Sequence, residues 1–258
     1  MLEVAVFNIE SAIAAEAAGA NRLELCENPN EGGTTPSYGT LTVVAKTISI
    51  PVFPIIRPRG GDFLYTNAEF DVMKNDIQIC KELGFAGVVI GLLLPDGSID
   101  KERTKELVQL AAPMEVTFHR AFDRCNDPIL GLHDIIETGC KRILTSGQVP
   151  SAPDALALLQ TLVQEAGDQI IIMPGSGVRG NNIGNINAII VCDVGSADLN
   201  NAMMFNNGDI PAIGVMNTKD GFNIVNSTII SGKAAPVRVL YNNVQAATIN
   251  IVNSILMS

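Results

Sequence analysis

The sequence predicts an α/β fold, a TIM (β/α)8 barrel forming one domain over residues 1–258, with an irregular asparagine-rich C-terminal segment. Three observations carry this expectation. Strand-like and helix-like segments alternate from the first residue, in units of roughly 25 to 35 residues. The length of 258 residues suits one barrel, and no stretch in its middle reads as a linker. Two apolar runs end in basic residues, Pro54-Ile55-Ile56-Arg57-Pro58-Arg59 and Glu115-Val116-Thr117-Phe118-His119-Arg120. Such endings are expected where barrel strands deliver their last residues to the working face.

The elements follow in order. Leu2 to Phe7 reads as a strand, and Ile9 to Ala18 as an alanine-rich helix closed by Gly19. Arg22 to Cys26 is the second strand, with its helix at Tyr38 to Thr47. Pro51 to Arg57 is the third, with its helix at Asn67 to Leu83 closed by Gly84. Gly87 to Gly91 precedes a helix from Lys101 to Ala111 that Asp100 can cap. Glu115 to His119 and the helix Pro128 to Thr138 come next, closed by Gly139. Arg142 to Ser146, the helix Pro153 to Ala166 and Gln169 to Pro174 follow, with a last strand near Ala188 to Asp193. Beyond Asp193 the alternation fades, and Val244, Ala247, Ile251, Val252 and Ile255 recur at a spacing that suits a closing eighth helix.

Composition bounds the function. Hydrophobic residues make up 47% of the chain, enough for a large core, and tryptophan is absent, so aliphatic residues must fill it. A formal net charge of −10 argues against nucleic-acid and anionic-membrane partners. No basic region precedes the first apolar stretch and no run reaches membrane-spanning length, which places the protein in the cytoplasm. Five cysteines, an odd number without framework spacing, fit reduced thiols.

Strand parity sorts the polar residues, because a barrel strand alternates between the filled interior and the surrounding helices. Arg22, Glu24 and Cys26 share one face of the second strand. Glu115, Thr117 and His119 share one face of the fifth, and Arg57 groups with Ile55 and Phe53. Glu24, Arg57 and His119 are therefore expected to converge at the C-terminal mouth. Inward charges must be paired, so Glu24 with Arg57 or His119 is the expected network, continued below by Glu3, Arg22 and Glu115. The competing reading is a structural salt-bridge layer that plugs the barrel. His133, inside a helix, is expected at the surface.

Glycine-rich turns end the sixth and seventh strands, at Thr145-Ser146-Gly147-Gln148 and Pro174-Gly175-Ser176-Gly177. Their backbone N–H groups suit a phosphate or carboxylate, although glycine also simply permits tight turns. Cys26, Cys125 and Cys192 fall near C-terminal strand ends, and soft ligands of that kind suit Cu(I). Against this, the second and fifth strands lie nearly opposite in a barrel, and a buried free cysteine commonly serves as a small hydrophobe.

Several runs together resemble one family: Asn21 to Cys26, Glu31 to Ser37, Ile56 to Phe63 (IRPRGGDF), Phe70 to Met73, Thr117 to Asp123 (TFHRAFD), Arg142 to Gly147 (RILTSG) and Met173 to Gly177. In that order they resemble the CutC copper-homeostasis family over residues 1–185. The resemblance implies a TIM barrel, a cytoplasmic location, self-association into a homo-oligomer, and a part in copper handling. Where the family carries a Phe-His-x-Ser-like ending on its last strand, this chain reads Val191-Cys192-Asp193-Val194-Gly195-Ser196, so that histidine is missing.

Two functions of different class are expected from these residues. In the first, a copper-binding protein holds Cu(I) at Cys26, Cys125 or Cys192. In the second, an isomerase- or lyase-type enzyme acts on a small anionic or phosphorylated metabolite. There Arg57 and Arg59 clamp the anion, with Asp123 and the Ser146, Gly147, Gly175 and Gly177 turns lining the site. His119 moves a proton, Glu24 orients it or acts as its partner carboxylate, and Arg120 stabilises developing negative charge.

Overall fold

The computed structural model describes residues 2–178, and beyond them eight short strands between Ala197 and Met257 by their backbone pairing alone. Contacts within the chain cluster into two units, Met1–Ser176 and Gly177–Ser258.

The first unit contains the expected βα alternation. Strands β1 (Glu3–Val6), β2 (Arg22–Leu25) and β3 (Val52–Pro54) pair in parallel, as do β4 (Gly87–Ile90), β5 (Glu115–Phe118), β6 (Arg142–Thr145) and β7 (Ile171–Pro174). A parallel bridge between Ile55 and Val89 joins the two groups, with the Ile56 N–H donating to the Val89 carbonyl at 2.8 Å. The strands therefore run in sequence order, all parallel, which is the sheet of a TIM barrel. The eighth strand, expected at Ala188 to Asp193, lies outside the described residues.

Helices α1 (Ile9–Ala17), α2 (Tyr38–Thr47), α3 (Asn67–Glu82), α4 (Lys101–Ala111), α5 (Pro128–Thr138) and α6 (Leu156–Ala166) separate the strands. Their starts are written locally. Asn8, Ser37, Thr66, Asp100 and Asp127 each accept a hydrogen bond from a first-turn N–H, and Thr66 and Glu69 form a reciprocal capping box. Outward-facing strand residues such as Leu23, Leu25, Val88, Ile90, Val116, Phe118 and Ile143 pack against Leu41, Val44, Met73, Ile77, Leu107, Leu132 and Leu162 in the main core. A second, smaller cluster of Cys26, Phe53, Ile55 and Val89 fills the barrel interior. His133 is exposed on α5, as its helical position predicts.

The second unit differs from the sequence expectation. Strands β8 (Ala197–Asn200), β9 (Met203–Asn206), β10 (Ile213–Met216), β11 (Phe222–Val225), β12 (Thr228–Ser231), β13 (Val237–Leu240), β14 (Ile249–Val252) and β15 (Ile255–Met257) pair in parallel, each with the third strand along. The stacks β8-β11-β14, β9-β12-β15 and β10-β13 follow the winding of a parallel β-solenoid. The helix expected over Val244 to Ile255 is replaced by β14 and β15. Short runs of β-branched residues such as Ile249-Asn250-Ile251-Val252 satisfy both periods, and parallel pairing decides between them.

Candidate functional site

The base of the barrel interior is a charged layer built on an aromatic ring. Phe53 lies between two guanidinium groups, with Arg22 4.8 Å and Arg142 5.0 Å from its centroid. Arg22 is paired with Glu3 and donates to the Met173 sulfur at 3.6 Å, so β2 reaches β7 across the interior. Arg142 is paired with Glu115 and contacts Thr117. Glu3 and Arg22 meet as parity requires, whereas Glu115 takes its partner from β6. Gly87 belongs to this layer, because a Cβ there would come within 2.4 Å of the Phe53 ring.

Above the layer stand Glu24 and Cys26. Glu24 is 7% exposed, and among the described residues it makes no ion pair or hydrogen bond. Burial first, and then the Glu3 carboxylate, push its carboxyl up to about 8 against the opposing pull of Arg22, so it holds its proton at neutral pH. The expected pairing of Glu24 with Arg57 or His119 is not formed, because both of those side chains find backbone partners closer to the loops.

Arg57 is 4% exposed. One terminal nitrogen donates to the carbonyls of Glu31 and Gly33, at 2.5 and 2.8 Å, and the other to the Gly61 carbonyl at 2.9 Å. The guanidinium thus ties together the loops that follow β2 and β3. Among the described residues its buried Nε has no hydrogen-bond partner of good geometry. His119, also 4% exposed, ends β5, and its Nδ1 accepts the Ala121 N–H at 3.1 Å. That bond fixes the hydrogen on Nε2, which is buried and has no partner among the described residues. Burial, reinforced by Arg57, lowers the imidazole to about 3, so His119 is neutral. As arranged, the ring nitrogen left over is a donor; the lone pair that a general base needs is spent on Ala121.

The Phe63 ring links the two groups. It lies 5.0 Å from the Arg57 guanidinium carbon and 5.1 Å from the His119 centroid. Tyr65, buried and not among the residues expected from the sequence, stands beside Arg57, whose side chain comes close to its hydroxyl; among the described residues that hydroxyl has no hydrogen-bond partner of good geometry. Burial pushes that phenol up to about 12. The signal for Tyr65 was its place two residues beyond the IRPRGGDF run and directly before the Thr66 cap.

The turn after β6 is already filled. The Asp123 carboxylate accepts the Ser146 and Gln148 N–H groups at 3.0 and 3.2 Å, the Ser146 hydroxyl at 2.9 Å and the Thr145 hydroxyl. Arg120 donates from Nε to Asp123 at 2.8 Å and from a terminal nitrogen to the Ser146 hydroxyl at 2.9 Å. Burial opposes the charge, but these donors outweigh it and hold the Asp123 carboxyl below its ordinary range. Where the sequence predicts a cradle for an external anion at Ser146 and Gly147, the chain's own carboxylate occupies it. Gly147 takes a φ of 73° and leaves no room for a Cβ against Ala155.

Arg59 does not share the Arg57 partners; it is paired with Glu69 at 2.6 Å and Asp62 at 2.9 Å. The Gly175 N–H donates to the Thr145 carbonyl, and Gly177 turns the chain with a φ of 69°. Cys26 packs against Gly33, Phe53 and Ile55 inside the barrel, while Cys125 sits in the outer core beside Gly131 and Gln148. They belong to separate clusters. Burial raises both thiols, Cys125 to about 11. Cys192 lies outside the described residues. Among the described residues no group of three or more His, Cys, Asp or Glu side chains could hold a metal ion, and no helix is long and apolar enough to cross a membrane. A groove of about 730 Å³ runs along Leu64, Tyr65, Leu94, Ile99 and Arg103, and none of the candidate catalytic, substrate-binding or metal residues expected from the sequence lines it.

A parallel barrel whose strand ends carry Arg57, His119 and the Asp123 turn, over an interior of Glu24 and Cys26, is the class of protein that fold and site define. The chain belongs to the CutC family, whose model matches residues 1–198. A CutC family protein of Chromobacterium violaceum is 50% identical over 192 residues, covering 74% of this chain and 78% of its own. One from Parabacteroides distasonis is 52% identical over 189 residues, covering 73% and 78%. The crystal structure of a CutC from Streptococcus agalactiae superposes with a TM-score of 0.68 at 32% identity, covering 72% of this chain and 92% of that one.

Proposed function

We propose that this protein takes part in copper homeostasis, the role that the description of its Streptococcus agalactiae relative carries, and that it acts by binding a small anionic ligand at the C-terminal mouth of the barrel. The observation that supports the mouth as the working site is the buried, unpartnered Nε2–H of His119 close to the Arg57 charge. A buried donor without an acceptor costs about 1–3 kcal/mol. A fold keeps such a group where a ligand supplies the acceptor. Glu24, protonated in the barrel interior beside Cys26, carries a proton that an isomerase- or lyase-type reaction can use.

A second reading is direct Cu(I) binding at Cys26, favoured by its place in the barrel interior beside Glu24. The raised thiol and the Arg57 charge both oppose a bound cation. Two measurements separate the readings. Thermal shifts with small anionic and phosphorylated metabolites are expected to be saturable and to weaken in His119→Gln; no shift with any of them removes the mouth reading. Anaerobic Cu(I) titration of the reduced protein, with saturable binding that is lost in Cys26→Ser, would establish the second reading instead.

A further inference from the structure

Three side chains at the mouth share one defect. Arg57 Nε, Tyr65 Oη and His119 Nε2 are all buried, and among the described residues none has a hydrogen-bond partner of good geometry, although the Arg57 side chain lies close enough to the Tyr65 hydroxyl to interact with it. They are grouped: the Arg57 guanidinium stands beside Tyr65, and the Phe63 ring contacts both Arg57 and His119. Each is a donor. Arg57 Nε–H can only donate, and His119 Nε2 carries the ring hydrogen because Nδ1 accepts from Ala121. The Tyr65 hydroxyl has a hydrogen to give as well.

The geometry points to a binding site for a single carboxylate group, held by Arg57 Nε–H, the Tyr65 hydroxyl and His119 Nε2–H with the Phe63 ring packed alongside. This inference rests on the mouth being the ligand site and names the ligand class. Charge selects it. One guanidinium stands with two neutral donors, which balances a monoanion. Inorganic phosphate, largely dianionic at neutral pH, would bring a second negative charge into a buried site. The turn that could have shared that charge, at Thr145, Ser146 and Gln148, is filled by Asp123. Arg59 and Arg120 are likewise held by Asp62, Glu69 and Asp123. Two carboxylate oxygens offer enough lone pairs for all three donors, whereas one water accepts only two hydrogens.

The full chain has two histidines, so histidine-selective 15N labelling resolves His119 from His133. Titration at pH 7 with acetate and pyruvate is expected to move the His119 Nε2 and its proton saturably, leaving His133 unmoved, while inorganic phosphate has no effect. Tyr65→Phe, a conservative change whose folding is checked by thermal melting, is expected to weaken acetate binding about tenfold. Full acetate affinity in Tyr65→Phe overturns the three-donor site. A response to phosphate as strong as that to acetate overturns the carboxylate assignment but leaves the mouth as an anion site. If no anion moves His119, both the assignment and the mouth reading fall.

Discussion

Arg57, His119 and Asp123 show how far a residue's neighbours decide its role. All three are charged or titratable types near strand ends; Arg57 and His119 are buried and Asp123 half-buried. Arg57 spends most of its donors on the carbonyls of Glu31, Gly33 and Gly61 and so acts first as a strap between loops. Asp123 satisfies the donors of the turn after β6, so its loss should be felt as stability. Asp123→Asn would set an amide donor against the Arg120 and Ser146 donors, and we expect a destabilisation of about 3 kcal/mol by urea unfolding at pH 7. The Asp123 carboxyl is depressed in the fold, so its contribution is present above the ordinary carboxylate range and disappears as pH falls through the folded value. The difference between wild type and variant should therefore shrink in acid. A variant as stable as wild type at pH 7 would contradict this account.

At the level of elements, β4 and β5 set the His119 ring. The His119 N–H donates to the Ile90 carbonyl at 2.7 Å, and the ring then lies over Gly91, where a Cβ would come within 2.3 Å of it. Glycine at 91 is thus a requirement of the neighbouring strand. Gly91→Ala must either displace the imidazole from Phe63 or push β4 away from β5, and overpacking of this kind costs about 1–3 kcal/mol. Calorimetry should show the lowered melting temperature, and the His119 resonance should shift with it. An alanine variant that melts like wild type would mean that the ring has another place to go. Helix starts were readable element by element, because Asp100 and the turn glycines act within a few residues of themselves. Strand or helix at the C-terminal end was not, since β14 and β15 form by pairing with β11 and β12.

For the whole molecule, the pH dependence of folding follows from the interior. Glu24 is raised to about 8 in the fold from an ordinary value near 4.5. Its stabilising share is complete below the ordinary value and is lost as pH rises through the folded one, at about 1.4 kcal/mol per pH unit in between. Glu24→Gln keeps the shape without the ionisation. Between pH 6 and pH 9 the variant should gain about 2–3 kcal/mol relative to wild type by urea unfolding. A difference that does not change with pH would mean that Glu24 is solvated after all.

Periodicity, turn glycines and caps are local properties, and from them the sequence alone determined the βα order, the parallel class and the inward face of Arg22, Glu24, Cys26 and His119. Family motifs added the CutC relationship over the first part of the chain. Partner choice is not local. Only the tertiary structure decided that Glu115 pairs with Arg142, that Asp123 fills the turn after β6, that Arg59 is taken up by Asp62 and Glu69, and that Tyr65 stands beside Arg57. The Glu115–Arg142 pair and the filling of the turn after β6 by Asp123 join residues from different βα units, and their distance in space depends on how the sheet curves, which no single segment encodes.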